Sequence, residues 1–175
     1  MIVSSTRPQR VGSSVSTWVA DTLDSQWDVT TLDLAQINLP FLDEDLPAGS
    51  GVYTKPHTLA WKAAIDAADA IVIVTPEYNG FFPAPLKNAI DYLKAEWEGK
   101  PIALVGYGWG GGQRALTSLN QLLENVLANV VGTTGLFFNT DLTLAGELSI
   151  GDAKLTELLA LSDELDSAID DEQAA

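Results

Sequence analysis

The feature that most constrains this chain is the run Ala70-Ile71-Val72-Ile73-Val74 and the turn that ends it, Thr75-Pro76-Glu77-Tyr78-Asn79-Gly80. A run with no polar alternation makes a strand buried on both faces, as in a parallel sheet sandwiched between helices. Pro76 and Asn79-Gly80 stop it in a tight turn. Helical sequence follows, so the turn sits at the carboxyl edge of the sheet. In open α/β sheets that edge is where ligands bind.

The same alternation runs along the whole chain. Strands are predicted at Met1–Ser4, Asp28–Leu34, Ala70–Thr75, Pro101–Gly106 and Val130–Phe138. Helices are predicted over Gly12–Ser25, His57–Ala68, Ala84–Glu96, Gln113–Ala128 and Asp152–Ile169. Period supports them: Leu86, Ile90 and Leu93 share one face, as do Leu155, Leu158, Leu159, Leu165 and Ile169. Glu157, Asp163, Glu164 and Asp170 line the other faces of the last helix as a solvated surface. Residues after Ile169 are expected to fray. Strand–helix alternation implies a parallel sheet covered on both faces. A length of 175 residues, 46% hydrophobic, suits a single domain spanning residues 1–175.

Two segments depart from this regularity. Ala35–Pro56 is long and broken by Pro40, Pro47, Gly49, Gly51 and Pro56. A surface excursion and a functional or partner-facing loop both suit it. The first strand offers only Met1-Ile2-Val3 ahead of its loop. An interior strand so short leaves ladder partners unmatched, so either the chain starts upstream of Met1 or the strand is brief; the upstream start is the expectation.

Composition removes several functions. A net charge of −15 opposes nucleic acid and anionic membranes. No segment approaches the roughly 18 apolar residues of a membrane span. The N-terminus lacks a basic-then-apolar leader, which points to the cytoplasm. Without cysteine there are no disulfides, thiolate metal sites or cysteine nucleophiles. His57 is the sole histidine, which disfavours a metal site and a Ser-His-Asp triad. Its place near a helix start suggests a surface or subunit-contact role. No pair of carboxylates has a spacing that marks a glycosidase.

Three loops carry candidate chemistry. The first, Ser4-Ser5-Thr6-Arg7-Pro8-Gln9-Arg10-Val11-Gly12, places hydroxyls, amides and two guanidiniums at a strand-to-helix junction. Arg7 and Arg10 are two of only three arginines in the chain. Such a loop suits a phosphate, held by the positive helix end and by bidentate arginine. A polar helix-capping loop with neighbouring surface arginines is the plainer reading. It is not a Walker loop, because the Gly-Lys-Ser/Thr ending is missing. The second loop is Pro76 to Gly80, where Glu77 and Tyr78 alone would pass for a turn acid and a packing aromatic. The third, Gly106-Tyr107-Gly108-Trp109-Gly110-Gly111-Gly112, formally satisfies G-x-G-x-x-G. That fingerprint belongs to the first βα turn, with an acid closing the next strand. Here Glu124, at about the right separation, falls mid-helix. The glycines read instead as a place where backbone approaches a flat ring.

Taken together, these residues resemble the NADPH-dependent FMN reductase family. The likeness rests on Thr75-Pro76-Glu77-Tyr78-Asn79-Gly80 followed by Pro83-Ala84-Pro85-Leu86-Lys87-Asn88. It rests also on the first loop, where Ser5, Thr6, Arg7, Arg10 and Gly12 match, Val11 lies between them, and Ser4 and Gln9 replace the usual glycines. The third match is the Gly-Gly-x-Arg-Ala element ending in Arg114-Ala115. The resemblance implies a flavodoxin-like doubly wound, five-stranded parallel sheet of order 2-1-3-4-5. It implies FMN as cofactor, with NADPH or NADH as co-substrate and a quinone, azo compound, metal oxyanion or free flavin as acceptor.

By the same resemblance, Ser5, Thr6, Arg7, Arg10, Val11 and Gly12 would hold the phosphate. Pro76, Glu77, Tyr78, Asn79 and Gly80 would contact the isoalloxazine and ribityl. Gly108, Trp109, Gly110 and Gly111 would lie under the pyrimidine, their N–H groups stabilising charge on the reduced ring. The flavin carries the chemistry, so no catalytic side chain is assigned. Lys87-Asn88 and Asp91 would tie the helix to its loop or to a partner subunit. Arg114 and Lys55 are candidates for a nicotinamide 2′-phosphate. A homodimer or homotetramer is implied. Two rival readings are a flavodoxin-type electron carrier, whose acidity suits basic redox partners, and an NAD(P)-binding Rossmann protein using Gly106–Gly111.

Overall fold

The computed structural model describes residues 1–23 and 25–174, with side chains to Asp171. Its centre is a parallel five-stranded sheet of order 2-1-3-4-5. The strands are β1 (Ile2–Val3), β2 (Leu32–Asp33), β3 (Ile71–Pro76), β4 (Pro101–Gly108) and β5 (Asn129–Phe137). The helices are α1 (Gly12–Leu23), α2 (Leu34–Ile37), α3 (Pro56–Asp66), α4 (Ala84–Asp91), α5 (Gln113–Asn125) and α6 (Asp152–Ala174).

Alternate residues of the central strands feed two cores. Ile71, Ile73, Ile102 and Leu104 pack with α3, α4 and α5 through Trp61, Ile65, Leu86, Ile90 and Leu119. Val72, Val74, Ala103 and Val105 face α1 and α6 through Val15, Val19, Leu158 and Leu165. Burial on both faces explains why β3 and β4 read as unbroken apolar runs. Among the described residues, no helix is long and apolar enough to cross a membrane.

Several boundaries differ from expectation. Only Leu32 and Asp33 of the predicted second strand join the ladder, because β1 presents only Ile2 and Val3 to it. Strand β4 runs on to Gly108, so Tyr107 belongs to the sheet and not to the glycine loop. Helix α4 ends at Asp91 instead of continuing to Glu96, and Ala95–Trp97 forms a separate 3-10 turn. Two buried indoles take over its last carbonyls: Trp61 Nε1 donates to Ala89 O at 2.8 Å and Trp97 Nε1 to Ile90 O at 3.0 Å. Helix α6 continues to Ala174 where fraying was expected, through a stretch free of glycine and proline. The segment 35–56 is not wholly irregular, for it holds most of α2 and a 3-10 turn at Ala48–Ser50.

That segment is pinned by side chains. Asn88 of α4 donates to Pro40 O at 2.7 Å and accepts from Leu42 N at 3.0 Å. Glu44 accepts from Thr54 N, Thr54 Oγ1 and Lys55 N. His57 pairs with Asp43 at 2.8 Å and stands edge-on to Tyr92, away from the carboxyl-edge loops. Lys87 is paired with Asp91 on α4.

Candidate functional site

The carboxyl ends of β1, β3 and β4 bring the three loops to one cleft of about 740 Å³. This is the point where strand order reverses, since β1 and β3 are adjacent but their connections leave in opposite directions. A smaller cavity of about 220 Å³ opens at the opposite, amino edge; its lining is largely aliphatic, with Leu23, Val29, Ala67 and Leu165 among it.

The first loop turns up from β1 with Ser4 N donating to Val74 O at 3.1 Å. Arg10 folds back: its Nη1 donates to Ser5 O at 2.8 Å and its Nη2 pairs with Asp33. Both side chains are largely enclosed, at 17% and 11% exposure. Arg10 therefore braces the loop while still lining the cleft. Arg7 has no carboxylate partner among the described residues and lies over the Tyr78 ring, 5.8 Å from its centroid. Ser5 Oγ and Tyr78 OH are 2.7 Å apart, a bond joining the first loop to the second.

In the second loop Asn79 and Gly80 both have positive φ, 52° and 87°. Tyr78 N donates to Phe81 O at 2.8 Å and Phe81 N to Tyr78 O at 3.0 Å. This is the two-residue turn that Asn-Gly favours. Glu77 is bonded to the Arg114 guanidinium and backbone amide. Arg114, although in the cleft, is thus committed to a carboxylate, and Lys55 does not line the cleft.

The third loop depends on its glycines for space. A Cβ on Gly106 would come within 2.6 Å of Gly111 O, and one on Gly112 within 2.9 Å of Tyr107 N. Gly110 has open space around it. Trp109 lies exposed beside the cleft, edge-on to Phe138 with ring centroids 5.4 Å apart. The loop follows β4, not β1, and Glu124 lies within α5, so the dinucleotide fingerprint lacks its geometry.

Most expected residues line the cleft: Ser5, Arg7, Arg10 and Val11, then Pro76 to Asn79, then Gly108 to Gly110. Four do not. Thr6 faces a separate depression with Asn38 and Asn88. Gly12 lies against the Tyr107 hydroxyl, Gly80 against the Arg114 guanidinium and Gly111 against the Phe137 ring. Gln9, Tyr107, Gln113, Phe138 and Leu144 line the cleft without having been picked out. Tyr107 closes an apolar strand and reads as core; Leu144 comes from a distant loop that carries no motif.

A doubly wound parallel sheet with a ligand cleft at its topological switch point defines a flavodoxin-like protein. The family profile described as NADPH-dependent FMN reductase matches residues 1–142. The chain belongs to that family of oxidoreductases, which use FMN with NAD(P)H. It is 41% identical over 142 residues to an NAD(P)H-dependent FMN reductase of a Nectria species, covering 77% of this chain and 71% of that one. It is 31% identical over 137 residues to an NADPH azoreductase of a Bacillus species, covering 75% and 72%. A flavoenzyme NAD(P)H:(acceptor) oxidoreductase from Paracoccus denitrificans shares the fold, with a TM-score of 0.67, 24% identity and coverage of 97% and 93%. The family match favours the reductase over the electron carrier and the Rossmann protein.

Proposed function

We propose that the cleft holds FMN with its phosphate at the Ser5–Gly12 loop and its ring system between Pro76–Gly80 and Gly108–Gly111. The protein then passes electrons from NADPH or NADH to a quinone, azo compound, metal oxyanion or free flavin. The observation that carries this reading is Arg7, a guanidinium without a carboxylate partner among the described residues, in a cleft lined also by glycine backbone and by the Tyr78, Trp109 and Phe138 rings. A volume of about 740 Å³ falls in the range of cofactor pockets, roughly 300–1,000 Å³.

When bound, FMN supplies the redox chemistry, accepting hydride from the nicotinamide and returning electrons to the acceptor. The chain's own residues bind and orient. Arg7 offers paired donors to phosphate oxygens. Arg10, held by Asp33, fixes the carbonyl of Ser5 and with it the loop. The bare glycine edge lets a planar ring approach the backbone, and N–H groups there favour negative charge on it. No side chain is required as acid or base.

Gly12 and Gly111 leave room behind the loops for the Tyr107 hydroxyl and the Phe137 ring. The exposed apolar side chains Phe41, at 87%, and Phe81, at 60%, with Leu42, Leu46 and Val52, support assembly as a homodimer or homotetramer through the segment that packs on α4. A cytoplasmic setting, where reduced nicotinamide is available, fits this reading.

An absorption spectrum of the purified protein followed by anaerobic NADPH tests it. Flavin bands that bleach on addition are expected. A colourless protein that neither takes up FMN nor oxidises NADPH sinks the proposal.

A further inference from the structure

Tyr107 ends β4 beneath the first loop, 3% exposed, and lines the cleft. A Cβ placed on Gly12 would lie 2.6 Å from its hydroxyl oxygen but 3.4 Å from Cζ. The hydroxyl therefore reaches the first residue of α1 only because position 12 has no side chain. Ser5 lies beside the same spot, its Cβ 3.6 Å from a Cβ placed on Gly12. Burial holds the phenol well above the ordinary tyrosine range, so it stays a neutral O–H donor.

Among the described residues the Tyr107 hydroxyl makes no side-chain hydrogen bond, whereas Ser5 Oγ and Tyr78 OH, 2.7 Å apart, satisfy each other. A buried neutral phenol against the first residue of α1, under the first loop, thus has a proton to give and no acceptor within the protein. An anion seated on that loop supplies the acceptor.

We infer that Tyr107 is a phosphate-binding residue whose hydroxyl, admitted by Gly12, donates to the phosphate of the bound flavin nucleotide. The inference rests on the cleft being the FMN site. It adds a donor from the sheet to those of the loop and explains why a glycine starts α1.

The test titrates full-length, flavin-stripped protein with FMN and with riboflavin, following flavin fluorescence. Tyr107→Phe is expected to raise the FMN Kd roughly tenfold, the size of one hydrogen bond to a charged acceptor, and to leave the riboflavin Kd unchanged. Gly12→Ala, which pushes the hydroxyl away, is expected to weaken FMN similarly. The double variant should be no weaker than either single one, because phenylalanine lacks the clashing atom. An unchanged FMN Kd in Tyr107→Phe, or an equal loss for FMN and riboflavin, overturns the inference while leaving the site reading intact. A wild-type protein that takes up neither ligand overturns the site reading and the inference with it.

Discussion

Arg114 and Glu77 form a clasp across the cleft. Arg114 Nε donates to Glu77 Oε1 at 2.8 Å, and the Arg114 amide, in the first turn of α5, donates to Oε2 at 3.2 Å. The carboxylate is largely enclosed at 14% exposure while the guanidinium is 75% exposed. The two loops that would flank a ring are thus tied by one acid.

Arg114→Ala should loosen the clasp without emptying the core. Because the arginine is solvated, the cost to folding is modest, about 1 kcal/mol or less. Thermal melts should fall by no more than about 2–4 °C. The FMN Kd should rise several-fold as the loops lose their relative position. Wild-type affinity in the variant would show that the clasp does not brace the site.

Arg7 and Arg10 should behave differently on truncation. Arg7→Ala removes charge-assisted donors and, inside the protein, its place over the Tyr78 ring, so FMN should weaken roughly 10- to 100-fold with at most a small fall in melting temperature. Arg10→Ala also strips Asp33 of its cation and Ser5 O of a donor. It should lower both affinity and melting temperature. Equal melting temperatures for the two variants would contradict the bracing role of Arg10.

Gly135 lies on β5 and outside the cleft lining, yet a Cβ there would sit 2.4 Å from Gly111 O. Gly135→Ala must push the third loop toward the cleft. A cost of about 1–3 kcal/mol is expected from overpacking, with loss of FMN affinity from a residue that does not line the cleft. Denaturant melts and FMN titration of the variant check both effects.

Burial pushes the Glu44 carboxyl up, but donors from Lys55 and Thr54 outweigh it and bring it from 4.5 to about 2. A carboxylate depressed in the folded state contributes stability above its unfolded pKa, and that contribution is lost as pH falls through the folded value. Glu44→Gln should therefore be less stable than wild type at pH 6. The gap should close between pH 4.5 and about 2. Melts across that range decide it; a gap independent of pH would mean the charge is irrelevant.

Much of the molecule was legible before folding because the informative patterns are local. The run Ile71–Val74 and its counterpart Ile102–Val105 are apolar at every position, which only a strand covered on both faces needs. Asn79-Gly80 specified its turn through residues able to take positive φ. The Gly-rich element after Tyr107 announced a close backbone approach, and the first loop announced a donor-rich strand-to-helix junction. These residues therefore announced the sheet, the order of its connections and three loops on one rim.

What local pattern cannot carry is the choice among partners distant in sequence. Folding alone decided that Arg10 turns to Asp33 while Arg7, over the Tyr78 ring, meets no carboxylate among the described residues, and that Arg114 is committed to Glu77. It ended α4 early by bringing Trp61 and Trp97 indoles to its carbonyls. It also carried Leu144 into the cleft and set the Tyr107 hydroxyl against Gly12. Periodicity reports which face of an element is apolar; which charge meets which, and which polar group is left over, follows from close packing between segments.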